Sequence, residues 1–249
     1  MVERHPAVPV TPSSLPSKSQ LKKVGDRIRK RATGELFDLD GEQAAEDATL
    51  VKRWRSAHSA ALTTTRIGLG TVAMRVQGLD SQAGLVTQRL KRFESIVAKL
   101  VRDKPRLAEI EDIAGCRSVV PDRATAERVW EQLDKKAQKL EIVQVKNYND
   151  SPHNGGYRAL HLWCRRDGFK VEVQLRTARQ QQWAELVEEW DSALGTDLKH
   201  EAAPEVILTY FRELANYFDL LDTGVAELDV DKSALRGARE ALETWAREV

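Results

Sequence analysis

The sequence predicts an α+β fold, a short mixed β-sheet flanked by helices, with helical extensions at both chain ends. Three observations point to the α+β plan. Strand-like runs gather between residues 116 and 177. Apolar stripes at helical spacing occupy both ends of the chain. The strands do not alternate regularly with helices, as βαβ units would.

Residues 1 to about 20 hold four of the eight prolines (Pro6, Pro9, Pro12 and Pro16) among Ser, Thr and Val, a composition expected to stay flexible. A basic cluster follows, Lys22, Lys23, Arg27, Arg29, Lys30 and Arg31, read as a solvated helix face or a phosphate contact. Residues 1–40 are therefore expected to be a Pro-rich, basic tail. Leu50, Val51, Trp54, Ala57, Ala61 and Leu62 predict an Ala-rich helix from about Glu42 to Met74, ended by a break at Gly78 to Gly84. Phe93, Ile96, Val97, Leu100 and Val101 form the stripe of a helix from about Lys91 to Arg102, with Arg89 and Lys91 at its start and outside the stripe.

Glu111-Asp112-Ile113-Ala114-Gly115 leads into an apolar strand, Cys116 to Val120, closed by Pro121. Val129, Trp130, Leu133 and Ala137 mark a helix from about Ala124 to Lys139, and Ile142, Val143 and Val145 mark the next strand. A hairpin turning at Asp167-Gly168 follows. On its far strand Val171, Val173 and Leu175 face one way, and Glu172, Gln174 and Arg176 the other. On its near strand Tyr157, Ala159, His161 and Trp163 share a face. After Thr177 the chain reads as helices, with stripes through Trp183 to Leu194, Ile207 to Leu221 and Leu235 to Trp245. The expected division is a domain over 41–200 and a C-terminal helical extension over 201–249.

With 249 residues, 31% of them charged, and a net charge of +1, no global field marks a nucleic-acid binder. Cys116 and Cys164 lack any framework or metal spacing and read as reduced, buried thiols of a cytoplasmic protein. The first residues lack the apolar core of a signal peptide, and no apolar run approaches the ~20 residues needed to span a bilayer, so no membrane partner is expected.

The common phosphate-loop and zinc motifs are missing, and no His-Asp dipeptide of the kind used by metal-dependent phosphohydrolases occurs. Two carboxylates do stand at informative places, Asp112 before a strand and Glu172 on the polar face of another. Singly, each would be a surface acid; brought to one cleft, they would hold Mg²⁺, which favours oxygen ligands and substrate phosphates. Arg89, Lys91, Lys99, Arg117, Lys146, Arg158 and Arg176 supply enough cationic donors for a triphosphate. Gly155-Gly156 permits a bent backbone and close approach of a ligand to Tyr157, whose ring suits either packing on its neighbours or stacking on a nucleobase.

Four segments, 89-RLKRFESIVAKL-100, 111-EDIAGCRSVV-120, 146-KNYNDSPHNGGYRALHL-162 and 171-VEVQLRT-177, resemble in order and spacing the synthetase domain of the RelA/SpoT family, particularly its small stand-alone alarmone synthetases. The resemblance covers about residues 85 to 195 and implies Mg²⁺-dependent transfer of pyrophosphate from ATP to the 3′-hydroxyl of GDP or GTP. It implies that Arg89 and Arg117 clamp adenine, and that Lys91 and Lys99 hold the ATP phosphates. Asp112 and Glu172 would carry the metal, with Glu172 also the candidate base. Tyr157 would stack on the acceptor base, assisted by Lys146, His161, Gln174 and the loop residue His153. The chain departs from the family where His153 replaces a lysine, Asn147 an Asp, and Val187-Glu188 a Glu-His pair. Toxic members of the family instead modify the 3′-CCA end of tRNA or make adenosine alarmones, and the His153 and Glu188 departures also fit a homologue that has lost catalysis and binds nucleotide or RNA. The toxic subgroup would add tRNA as acceptor and a neutralising antitoxin as partner, and relatives often form homo-oligomers.

Overall fold

The computed structural model describes residues 15–37, 41–81, 85–136, 140–198 and 202–248. Three helices open it: α1 (Lys18–Ala32), α2 (Glu42–Ala57) and α3 (Ser59–Gln77). Strand β1 (Val86–Leu90), helix α4 (Phe93–Arg102), strand β2 (Ala114–Val120) and helix α5 (Arg123–Lys136) follow. Strands β3 (Glu141–Asn147), β4 (Leu160–Arg166) and β5 (Phe169–Thr177) complete the sheet. Helices α6 (Ala178–Leu194), α7 (Glu205–Asp222) and α8 (Ser233–Glu248) close the chain. The mixed α+β architecture is the one expected. No helix among the described residues is long and apolar enough to cross a membrane.

The sheet runs β1-β2-β5-β4-β3, with β2 and β5 parallel and every other neighbour antiparallel. At the β4–β5 turn, Asp167 (φ 49°) and Gly168 (φ 83°) both lie in the left-handed region that a two-residue hairpin demands. The expected alternation on β5 holds. Val171, Val173 and Leu175 are buried on one face with Cys116, Leu160 and Leu162, under α3 and α5. The opposite face carries the polar residues, so the strand period itself separates core from site.

Several expectations change, while strand β3 stands where it was expected. The run Val-Thr-Gln-Arg-Leu is a strand, so Arg89 sits on β1 rather than at a helix start; β1 has one fully buried residue and was invisible to an apolar pattern. The helix read from Glu42 to Met74 is two, broken at His58, whose ring is buried against Trp54 and Phe169. On β3 the ladder shifts between Ile142 and Gln144, leaving Val143 exposed.

The segment expected as a tail holds helix α1 over 18–32, while 1–14 and 38–40, with three of the four early prolines, lie outside the described residues. Leu21, Val24 and Ile28 recur at helical spacing and are buried with Val51, Trp54, Ile96 and Leu100. Each such burial is worth about 1.5–3 kcal/mol, which holds an otherwise highly charged helix in place. Gly25 lets this helix approach the short turn Leu107–Glu109, where an added Cβ would meet Leu107 Cβ at 2.9 Å. Ala137 lies outside the described residues.

Residue 200 is no packing boundary. Trp183, Ala184 and Val187 of α6 share one core with Ile207, Phe211 and Leu214 of α7 and Leu242 of α8. Asp222 of α7 is buried against Thr177 and Arg179 at the start of α6. The third core therefore joins the sheet's last strand to the terminal helices.

Candidate active site

Register assembles the site. Arg89 lies opposite Gly115, and Gly115 opposite Glu172; in the next row Thr87, Arg117, Gln174 and His161 face one another in turn. Opposed residues project to the same face, so four strands deliver their polar side chains to one cavity of about 420 Å³. Its walls include Arg89, Lys91, Asp112, Arg117, His153, Tyr157, His161, Glu172, Gln174, Arg176 and Glu188.

Asp112 ends the loop before β2, and both of its oxygens are engaged, one by Lys91 Nζ at 2.7 Å and one by Lys99 Nζ at 3.0 Å. Burial pushes its carboxyl up, but the two ammonium groups outweigh that and hold it below its usual value. Lys91 is pinned from behind: its backbone N–H donates to Ile113 O at 2.8 Å, and its carbonyl accepts from Arg55 Nε at 2.7 Å.

Glu172 is buried on β5. His161 Nδ1 lies 2.9 Å from Oε1, and Gln174 Nε2 donates to Oε2 at 2.9 Å. Burial raises this carboxyl, yet the His161 contact, with help from Gln174, brings it below its usual value, so it is ionised at neutral pH. The charge of Asp112 is felt at Glu172, as expected of two acids facing one cavity.

Tyr157 follows the turn Asn154–Gly156. Its hydroxyl lies 2.7 Å from His161 Nε2 and accepts from Arg176 Nη2 at 2.7 Å, and the Arg176 guanidinium sits over the ring at 5.1 Å. Burial raises the phenol, with the Arg176 charge opposing it. The ring itself still borders the cavity. Both glycines before it bend the backbone as expected, at φ 64° and 97°, but Gly156 faces a helix. An added Cβ on Gly156 would stand 2.7 Å from Ala215 Cβ, so the turn admits helix α7 rather than a ligand.

Arg117 is the most crowded cation. Burial lowers its pKa, and the guanidiniums of Arg176 and Arg89 lower it further. Three arginines converge here, with Glu188 on the same cavity wall opposing their effect on Arg117, and guanidinium forks so placed suit an anion.

Residues 88–192 match the model of the region found in RelA/SpoT proteins. A GTP pyrophosphokinase of Bacillus subtilis, YwaC, is 34% identical over 145 residues, covering 53% of this chain and 68% of its own. The chain belongs to the RelA/SpoT family. An uncharacterized protein of Mycobacterium tuberculosis is 32% identical over 141 residues; the chain spans about half of it, 49%. Among solved structures, small alarmone synthetase 2 of B. subtilis superposes with a TM-score of 0.60 at 29% identity, covering 69% of this chain and 94% of that one. Small alarmone synthetase 1 of the same organism, bound to its product pppGpp, also gives 0.60, at 23% identity and covering 71% and 95%, a likeness of fold.

In this RelA/SpoT family member the cavity gathers most of the residues singled out from sequence. Three stand apart from its lining. Lys99 reaches the site only through Asp112. Lys146 shares a sheet face with His161 but lies on the edge strand, its ammonium 5.0 Å from the Trp163 ring. Arg158 turns away towards Asn216 and Asp219 of α7. Sequence reasoning missed Thr87 and Gln88, on the strand it did not recognise, and Tyr148, whose ring lies 5.1 Å from that of His161. It also gave no role to Gln181, which accepts from Arg117 Nη1 at 2.8 Å. Gln181 sits in the first turn of a helix, where nothing in the pattern distinguishes it from Gln180 or Gln182.

Proposed function

We propose that this chain transfers the β,γ-diphosphoryl group of ATP to the 3′-hydroxyl of a guanosine nucleotide, GDP or GTP. The 3′-oxygen forms a bond to the β-phosphorus, the bond from that phosphorus to the α,β-bridging oxygen breaks, and AMP departs. Glu172 takes the hydroxyl proton; being ionised at neutral pH, it is ready to accept it. Arg89 and Arg117, in adjacent rows of β1 and β2 and both on the cavity wall, would hold the purine of ATP, with Lys91 turning from Asp112 to the phosphates. Tyr157, held by Arg176 and His161, offers a ring for the acceptor base, assisted by Gln174 and His153 on the cavity wall.

Asp112 and Glu172 suit Mg²⁺. Both are carboxylates on one cavity. A two-carboxylate site with its other ligands drawn from phosphate and water is what Mg²⁺ accepts. Bound there, the ion would neutralise charge on the transferring group.

The parallel register of β2 and β5, which sets Arg117 beside Gln174 and Gly115 beside Glu172, is the observation that supports this reading most directly. Incubation with ATP labelled at the β-phosphate, Mg²⁺ and GDP or GTP should yield a labelled guanosine product; no labelled product with either acceptor overturns it. Deacylated tRNA belongs in the same assay. Glu188 lines the cavity where the family resemblance expects a histidine, and an acid there disfavours a free polyphosphate acceptor. Label on the RNA 3′ end alone would move the acceptor to the second reading.

A further inference from the structure

Arg117 and Arg176 stand on the neighbouring strands β2 and β5, and their guanidiniums meet on one atom. Gln181 Oε1 accepts from Arg117 Nη1 at 2.8 Å and from Arg176 Nη1 at 3.2 Å. The amide cannot flip without loss, because its Nε2 donates to Glu185 Oε1 at 2.5 Å and so fixes the oxygen towards the arginines. The helix start that carries Gln181 is fixed as well. Thr177 Oγ accepts from the Gln180 backbone N–H, and the Gln180 side chain returns a bond to the Thr177 N–H, each at 3.1 Å. The same Gln180 side chain donates to buried Asn149 at 2.7 Å.

What hangs from the two arginines differs. Arg117 opens onto the part of the cavity shared with Arg89, whereas Arg176 holds the Tyr157 hydroxyl and covers its ring. Each arginine also keeps a buried Nε–H with no hydrogen-bond partner, so Gln181 supplies much of what locates either fork. A neutral amide suits this position, since it orients two like charges without cancelling the field a polyphosphate requires.

We propose that Gln181 is a positioning residue that ties the donor-nucleotide subsite to the acceptor-nucleotide subsite, so that each nucleotide orders the side chains the other needs. This rests on the two-nucleotide reading given above. A purine against Arg117 immobilises its guanidinium and, through the shared oxygen, that of Arg176; a base on Tyr157 does the same in reverse. The first ligand bears the ordering cost and the second meets a site already set, which is positive coupling between the two bindings. By linkage the effect is reciprocal.

The test measures binding of α,β-methylene-ATP to the full chain by calorimetry, with Mg²⁺, alone and at saturating GDP, alongside the labelled-ATP assay. In the wild type GDP should tighten analogue binding by about tenfold, within the usual span of such couplings. Gln181→Met keeps length and loses the acceptor oxygen, and should reduce that factor to below about twofold, with the melting temperature unchanged. Gln181→Glu keeps an oxygen for both arginines but adds a charge and faces Glu185, so it should weaken binding of each nucleotide alone while keeping the coupling above that of Gln181→Met, a split that a merely structural role would not give. Full coupling in Gln181→Met, or none in a wild type that still forms labelled product, overturns the inference and leaves the proposed reaction standing. Failure of both nucleotides to bind overturns both.

Discussion

Two carboxylates, Asp47 and Asp112, each meet two cations, in settings that differ in burial and in the kind of cation. Asp47 is only 1% exposed and lies between α1 and α2, where Arg27 grips both of its oxygens and Arg31 adds a bond at 2.5 Å. Asp112 is 22% exposed, borders the cavity, and is met by two lysines. A guanidinium fork fixes direction as well as charge, whereas an ammonium is a rotatable point charge that can be drawn to another anion. One cluster closes a joint between helices. The other, on the function proposed above, is an ion pair that a substrate phosphate can draw apart.

The sharpest test of that contrast is Asp112→Asn, which removes the charge and keeps the shape. Pyrophosphoryl transfer should fall by about 10³-fold, ~4 kcal/mol in activation free energy, while the melting temperature changes little. A large loss of stability with normal turnover would place Asp112 with Asp47 as a structural acid.

Asp47→Ala should do the reverse, costing about 3 kcal/mol of stability with turnover in the surviving folded fraction unchanged. That lies at the low end for breaking a buried pair, because Arg27 is 33% exposed. Burial raises the Asp47 carboxyl, but Arg27 and Arg31 outweigh it and hold it below its usual value. Its contribution is therefore complete above the unfolded value of about 3.9 and is lost as pH falls through the lower folded value. Urea melts at pH 7 and below pH 3 should show the gap between wild type and Asp47→Ala closing in acid. A gap that persists there breaks the electrostatic account of this joint.

The smallest effect is expected from Arg31→Lys, which keeps the charge and removes the fork. A loss of about 1 kcal/mol in the same melts would show that direction, as well as charge, matters at Asp47. A variant as stable as the wild type would reduce the two clusters to the same kind of ion pair.

The polar site was largely legible, because its residues alternate with an apolar face. Glu172, Gln174 and Arg176 announce themselves between Val171, Val173 and Leu175 in the sequence, and Asp112 precedes a strand whose burial alternates along its length. Strand β1 was not legible. It is an edge strand with most of its side chains exposed, so it carries no apolar alternation, and only pairing with β2 makes it a strand. The α2–α3 break was hidden for a related reason. No Pro or Gly marks it, and burial of the His58 ring between Trp54 and Phe169 is a matter of packing.

The sequence alone determined which faces are apolar and which residue types could handle phosphates, since periodicity and side-chain chemistry are local properties. The tertiary structure decided which of those residues meet. Parallel register of β2 with β5 put Glu172 beside Gly115, α7 pressing on Gly156 placed Tyr157, and Gln181 brought two arginines to one oxygen. These are contacts between segments distant along the chain, and no local pattern encodes a distance that only the packed fold creates.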